Sequence, residues 1–211
     1  MIISHSHKFI FIHVYKTAGT SIRKKLSPYI HAKPSTNFIH RIINPAESVY
    51  SNKFNTHVSA AELKKSIPAN IWNSYFKFAI VRNPWDWQVS LYTYMQKTQE
   101  THPQGELINK LSDFDSYIEW RVNNDVHLQK EYLYDMQTNK PLVDYIGRFE
   151  NLQTDFNYIC NKIGIAETEL TVENVSNKKN FREYYNERNK ELVAKVFNDD
   201  IQTFGYKFDA S

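Results

Sequence analysis

The chain has 211 residues, with 26 Lys+Arg against 23 Asp+Glu, a net charge of +3 and a pI near 8.7. That balance is too mild for a histone-like coat or a polybasic tail, yet it suits a local anion site. The length predicts one domain over residues 1–211, and 41% hydrophobic with 15% aromatic residues exclude a disordered chain.

A lone cysteine, Cys160, excludes an internal disulfide and a cysteine zinc cluster and points to a reducing compartment. Five glycines exclude Gly-rich linkers and a multi-glycine dinucleotide fingerprint. No segment approaches the ~20 apolar residues of a membrane span. The N-terminal apolar run is too short, and too His-rich, for a secretory signal. The expectation is a soluble, cytoplasmic protein.

Phe9 to Val14 is a short apolar run rich in β-formers and predicts a buried parallel strand. A turn over Tyr15 to Gly19 follows, with Thr20 or Ser21 as helix cap, and Ile22, Leu26 and Ile30 then form a buried helical stripe. Residues 31–56 predict loop. Ser59 with Glu62 reads as a capping box for a helix to about Ser66. Phe76 to Val81 predicts a second buried strand. Asn83 then caps a helix with Pro84 in its first position and Trp85, Val89, Tyr92 and Met95 on one side.

Residues 99–110 predict loop, and Ser112 to Arg121 predicts helix. Leu142 to Phe149 predicts a third strand, Asn151 to Ile163 a helix closed by Gly164, and Tyr184 to Phe204 one long helix closed by Gly205. Strands alternating with helices predict an α/β fold.

Two segments carry chemistry. Lys16-Thr17-Ala18-Gly19-Thr20-Ser21 lies between a strand and a helix, where first-turn N–H groups and the helix dipole favour an anion. Lys16 adds a charge, the three hydroxyls add donors, and Gly19 lets an anion come close. It is not a Walker A loop, because the lysine precedes the only glycine. The plainer alternative is an ordinary turn whose polar residues only cap.

The second segment is Val81-Arg82-Asn83-Pro84-Trp85-Asp86, with Ser90 beyond it. Ligands of open α/β sheets gather at the carboxyl ends of strands. An arginine there asks for an anion directly, where a nucleoside triphosphatase would often carry a Mg²⁺ acid. The alternative is that Arg82 pairs with a carboxylate such as Asp86 and Ser90 is a helix-surface serine. Together the two segments describe a nucleotide with two separated phosphates.

In this order the residues resemble a known family. Phe11 to Ser21 resembles the 5′-phosphosulfate loop of sulfotransferases that use 3′-phosphoadenosine 5′-phosphosulfate (PAPS), and Val81 to Asp86 with Ser90 resembles their 3′-phosphate motif. Gly147 to Leu152 is similar to a signature of the carbohydrate branch, which includes the glycosaminoglycan 2-O-sulfotransferases. Asn174-Val175-Ser176, Tyr184-Tyr185 and Asp200 to Tyr206 resemble that branch too. Tyr15 stands where the family often has Pro, and Ala18 where it often has Gly. The chain resembles a short, soluble, bacterial-type form.

The resemblance implies a P-loop-like three-layer α/β sandwich with a central, mainly parallel sheet flanked by helices. It implies an O-sulfotransferase moving the sulfuryl group of PAPS in line to a hydroxyl of a carbohydrate or glycolipid acceptor, without a metal or a nucleic-acid partner. Lys16 would stabilise the departing oxygen. Lys16, Thr17, Ala18, Gly19, Thr20 and Ser21 would hold the 5′-phosphate, Arg82 and Ser90 the 3′-phosphate, and Ser176 and Lys178 a closing loop. His57 is the expected general base, with His13 its main competitor. Arg148 and Glu150 read as structural, and Lys178, Lys179, Arg182 and Arg188 as a solvated face. The alternatives are a P-loop nucleotide kinase and a non-catalytic nucleotide-binding module.

Overall fold

The structure, a computed structural model, describes residues 1–30, 55–98, 104–170 and 180–209. In chain order the strands and α-helices are β1 (Ile2–Ser4), β2 (Phe9–Ile12), α1 (Gly19–Leu26), α2 (Ala60–Ser66), α3 (Ala69–Ser74), β3 (Phe76–Val81) and α4 (Pro84–Lys97). They continue with α5 (Gly105–Lys110), α6 (Phe114–Asn124), α7 (Gln129–Leu133), β4 (Tyr134–Asp135), β5 (Lys140–Pro141), β6 (Tyr145–Arg148), α8 (Leu152–Ile163), α9 (Glu187–Val196) and α10 (Asn198–Phe204). The described residues form two compact units. The first joins Met1–Val81 to Glu131–Glu173, and the second joins Arg82–Lys130 to Asn174–Ser211.

The first unit holds a four-stranded sheet in the order β1-β2-β3-β6. β2 runs parallel to β3, with Phe11 opposite Phe78, and β3 parallel to β6, with Val81 opposite Arg148; β1 is an antiparallel edge. This is a mixed α/β fold with a central, mostly parallel sheet flanked by helices. β2 and most of β3 are buried because helices cover a parallel sheet on its faces. Ile22 and Leu26 of α1, and Leu152, Phe156 and Ile159 of α8, fall at helical spacing and pack with Phe9, Phe11, Phe78 and Ile80 in one core. β4 and β5 pair separately as a short hairpin.

The second unit is helical among its described residues, and aromatic contacts organise it. Trp87 meets Phe197 edge-on with ring centroids 6.4 Å apart, Tyr92 lies 5.3 Å from Phe114, and Trp85 lies 5.5 Å from Phe208. Such tilted and edge-to-face pairs add to the area that the rings bury.

Local signals placed several elements as expected. Ser59 and Glu62 form the capping box of α2, Asn83 Oδ1 accepts from Trp85 N at 3.1 Å with Pro84 first in α4, and Gly164 closes α8 at φ 70°.

Other expectations need correction. α1 is capped by Ala18, not by Thr20 or Ser21, because the helix already begins at Gly19. Part of the predicted loop 99–110 is helix α5, and residues 99–103 lie outside the described set. α6 begins at Phe114, where Asp113 accepts from Ser116 N at 2.8 Å, rather than at Ser112. The third strand is only Tyr145–Arg148. The long helix from Tyr184 is two helices: the Asn186 capping box starts α9, and the backbone leaves helical geometry at Phe197 (φ −99°, ψ 21°) before α10. Asp199 and Asp200 favour a new start there, since acids suit a first turn.

Candidate active site

β2 delivers the chain into the Lys16 loop, and α1 takes it away. Lys16 and Ala18 both adopt left-handed backbone, with φ 61° and 63°. Left-handed residues flanking Thr17 turn successive N–H groups toward a common centre, the geometry of backbone anion cradles. Ala18 makes no side-chain cap bond to α1, and the first turn of α1 carries no acid. The N-terminus of this helix therefore presents its N–H groups and its dipole with no carboxylate of its own to satisfy them.

The three hydroxyls separate by environment. Thr17 is fully buried and donates to Val14 O at 2.7 Å, which closes the turn; Ser21 is buried and Thr20 exposed. Lys16 is half-buried. Gly19 makes room for a neighbour: an added Cβ would lie 1.7 Å from His13 Nε2.

His13 lies just past β2, buried, stacked on Phe11 with ring centroids 5.6 Å apart. Its Nδ1 is buried with no hydrogen-bond partner among the described residues. Burial first, then His57, the amino terminus and Arg23, push its pKa down to about 2, so the ring stays neutral.

The structure brings His57 to the same place. Its ring centroid is 4.5 Å from that of His13 and 6.0 Å from that of Tyr15, and its Nδ1 is 3.0 Å from His13 O. A carbonyl only accepts, so Nδ1 carries the hydrogen of the neutral ring and Nε2 the lone pair. Burial lowers the His57 pKa below its ordinary value, partly opposed by the bond to His13 O. His57 is thus a half-buried neutral imidazole, fixed in one tautomer beside the lysine loop.

In the second unit Arg82 Nε donates to Asp86 Oδ2 at 2.7 Å, the ion pair that the sequence offered as its alternative. The pair holds a guanidinium fork, a group with five N–H donors, in one orientation. The Arg82 backbone is held by Gln129, whose Oε1 accepts from Arg82 N at 2.9 Å and whose Nε2 donates to Arg82 O at 2.8 Å. Ser90 is buried on α4, so the helix-surface alternative is overturned.

Ser176, Lys178 and Lys179 lie outside the described residues. Arg148 N and the Tyr145 hydroxyl both donate to the Asp155 carboxylate, which ties β6 to α8. Arg182 Nε donates to Phe208 O at 3.2 Å, and Arg188 pairs with Glu119 at 2.6 Å. Sequence reasoning missed Gln129, and it named Asp200 only as the start of a resembling segment, not as the acceptor of the Gln129 N–H at 2.8 Å. Both act across long sequence separations, for which spacing carries no signal.

The fold is a mixed α/β fold in which a left-handed turn and an uncapped helix start follow the second strand, with His13 and His57 packed together beside that turn. A model of the Sulfotransferase family matches residues 1–207, and the chain belongs to that family. It is also 27% identical, over 105 residues covering 50% of this chain and 81% of the relative, to an uncharacterised protein of Archaeoglobus fulgidus. Family membership makes sulfuryl transfer the activity class and does not favour the kinase or the non-catalytic module. No helix among the described residues is long and apolar enough to cross a membrane.

Proposed function

We propose that the protein moves the sulfuryl group of PAPS to a hydroxyl of a carbohydrate or glycolipid acceptor, with His57 as general base. The observation that carries this reading is His57 fixed through Nδ1 on the carbonyl of His13, three residues before Lys16. The Lys16 loop fits a 5′-phosphate group: it has left-handed turns at Lys16 and Ala18, an uncapped helix start and no first-turn acid. PAPS supplies an activated sulfuryl group and a leaving bisphosphate.

The residues would do the rest. Lys16 and the first-turn N–H groups of α1 stabilise the negative charge that grows on the departing oxygen. Thr17 shapes the turn from within through Val14, and Thr20 and Ser21 hold the phosphate beside it. Arg82 and Ser90 take the 3′-phosphate. His57 Nε2 receives the acceptor's proton as the new O–S bond forms. His13 is the weaker candidate for this step, because a ring with a pKa of about 2 has little driving force to take a proton.

Transfer of labelled sulfate from PAPS across a glycan panel tests the substrate class. His57→Ala abolishes transfer while adenosine 3′,5′-bisphosphate still binds; retained turnover would overturn the base assignment. The acid limb of kcat/KM has its midpoint below about 6.5, the ordinary histidine value, with the rate full at neutral pH and lost as His57 protonates. Stabilisation by ATP with Mg²⁺ and not by the bisphosphate would sink the whole reading.

A further inference from the structure

We infer that Gln129 is a positioning residue for the Arg82 anion site, and that its side-chain amide sets the selectivity for a 3′-phosphorylated nucleotide. The inference rests on the proposal that Arg82 takes the 3′-phosphate.

The last residue of β3 paired in the sheet is Val81, opposite Arg148. Arg82 comes next, and Pro84 already begins α4. The Arg82 peptide groups therefore sit in the short gap between a sheet ladder and a helix ladder. A primary amide is the neutral side chain that offers an acceptor and a donor in one plane, so it can close a ring on a backbone N–H and C=O as a neighbouring strand would. Gln129 does this at 2.9 Å and 2.8 Å, and it is 0% exposed.

The clamp is itself anchored. Asp200, also 0% exposed, accepts from Gln129 N through Oδ2 at 2.8 Å and from Lys130 N through Oδ1 at 2.9 Å. This caps the first turn of α7 with a carboxylate. Asn83, the next residue, is pinned as well, with Nδ2 donating to Lys207 O at 3.0 Å.

Asp86 holds the guanidinium at Nε while Gln129 holds the main chain, so Arg82 is constrained at both ends. An arginine fixed in this way loses less freedom when it binds an anion.

The test is titration calorimetry of the full chain with adenosine 3′,5′-bisphosphate and adenosine 5′-monophosphate, which differ only in the 3′-phosphate. The wild type prefers the bisphosphate. Gln129→Met keeps the side chain's length and removes both bonds; bisphosphate affinity then falls roughly tenfold while monophosphate affinity holds, so the preference contracts. A merely structural role would lower the melting temperature, or weaken both nucleotides equally, and leave the preference unchanged; that result overturns the inference. If Gln129→Met does not fold, Asp200→Asn decides by the same ratio, with a smaller contraction expected and an unchanged ratio again fatal. A wild type that binds both nucleotides equally refutes the two-phosphate reading itself, before any variant is compared.

Discussion

At Gly19 the missing Cβ matters because of a neighbour in the protein as well as any ligand. A methyl group there would overlap His13, whose Nε2 lies 1.7 Å from the ideal Cβ position, and His13 in turn touches His57. Gly19→Ala should therefore cost about 1–3 kcal/mol, as overpacking does in a filled core. If His57 is the base as proposed, it should also blunt transfer by displacing that ring. In a His13→Ala background the same substitution should become neutral, or stabilising by about 0.5 kcal/mol, because alanine suits a helix better than glycine. Denaturant melts of the four proteins give the coupling directly. Additive costs would mean that the ring does not fix this glycine. The glycine was legible in the sequence as the special residue of the loop, whereas the ring that demands it comes from His13 at the end of the preceding strand.

Among elements, α2 bears on the proposed base, since it begins three residues after His57. Its start is held reciprocally: Ser59 Oγ accepts from Glu62 N at 3.3 Å, and Glu62 Oε2 accepts from Ser59 N at 3.1 Å. Ser59→Ala should cost about 1 kcal/mol, a melting shift of roughly 2–4 °C for a chain of this size. On the proposed roles, kcat should drop more than bisphosphate binding does, because His57 loosens while the Lys16 loop does not. Equal losses in both would detach α2 from catalysis. This cap, and those at Asn83 and Gly164, were readable because a cap is a contract between residues two to four apart. β1 was not readable, since three residues give no period, and its strand character comes from pairing with β2. Nor was the break at Phe197, where apolar residues continue the helical rhythm through a backbone that does not. The Gln129 clamp spans 47 positions, and no local pattern announces it.

For the whole molecule, the buried histidines tie stability to pH. His13 has a pKa of about 2 in the fold, and His57 is lowered as well, against about 6.5 for an unfolded chain. Above about pH 6.5 both states are neutral at these residues and nothing is lost. Below it the unfolded chain binds protons that the fold refuses, so stability falls as pH falls, and for His13 the loss continues down to about pH 2. The limiting slope for His13 alone is about 1.4 kcal/mol per pH unit. Carboxylates of ordinary pKa titrate near 4, but burial also pushes the Met1 amino group down to about 5, so over about pH 6.5 to 4.5 the His13 contribution is read as the difference between the wild type and a His13 variant. Urea melts across that interval should show stability dropping with acid in the wild type. His13→Phe, which keeps a ring against Phe11 and cannot titrate, should flatten the drop. A variant with the wild-type slope would mean that His13 meets water in the fold and titrates normally. The same burial would then no longer favour His57, the more exposed of the two rings, over His13 as the proposed base.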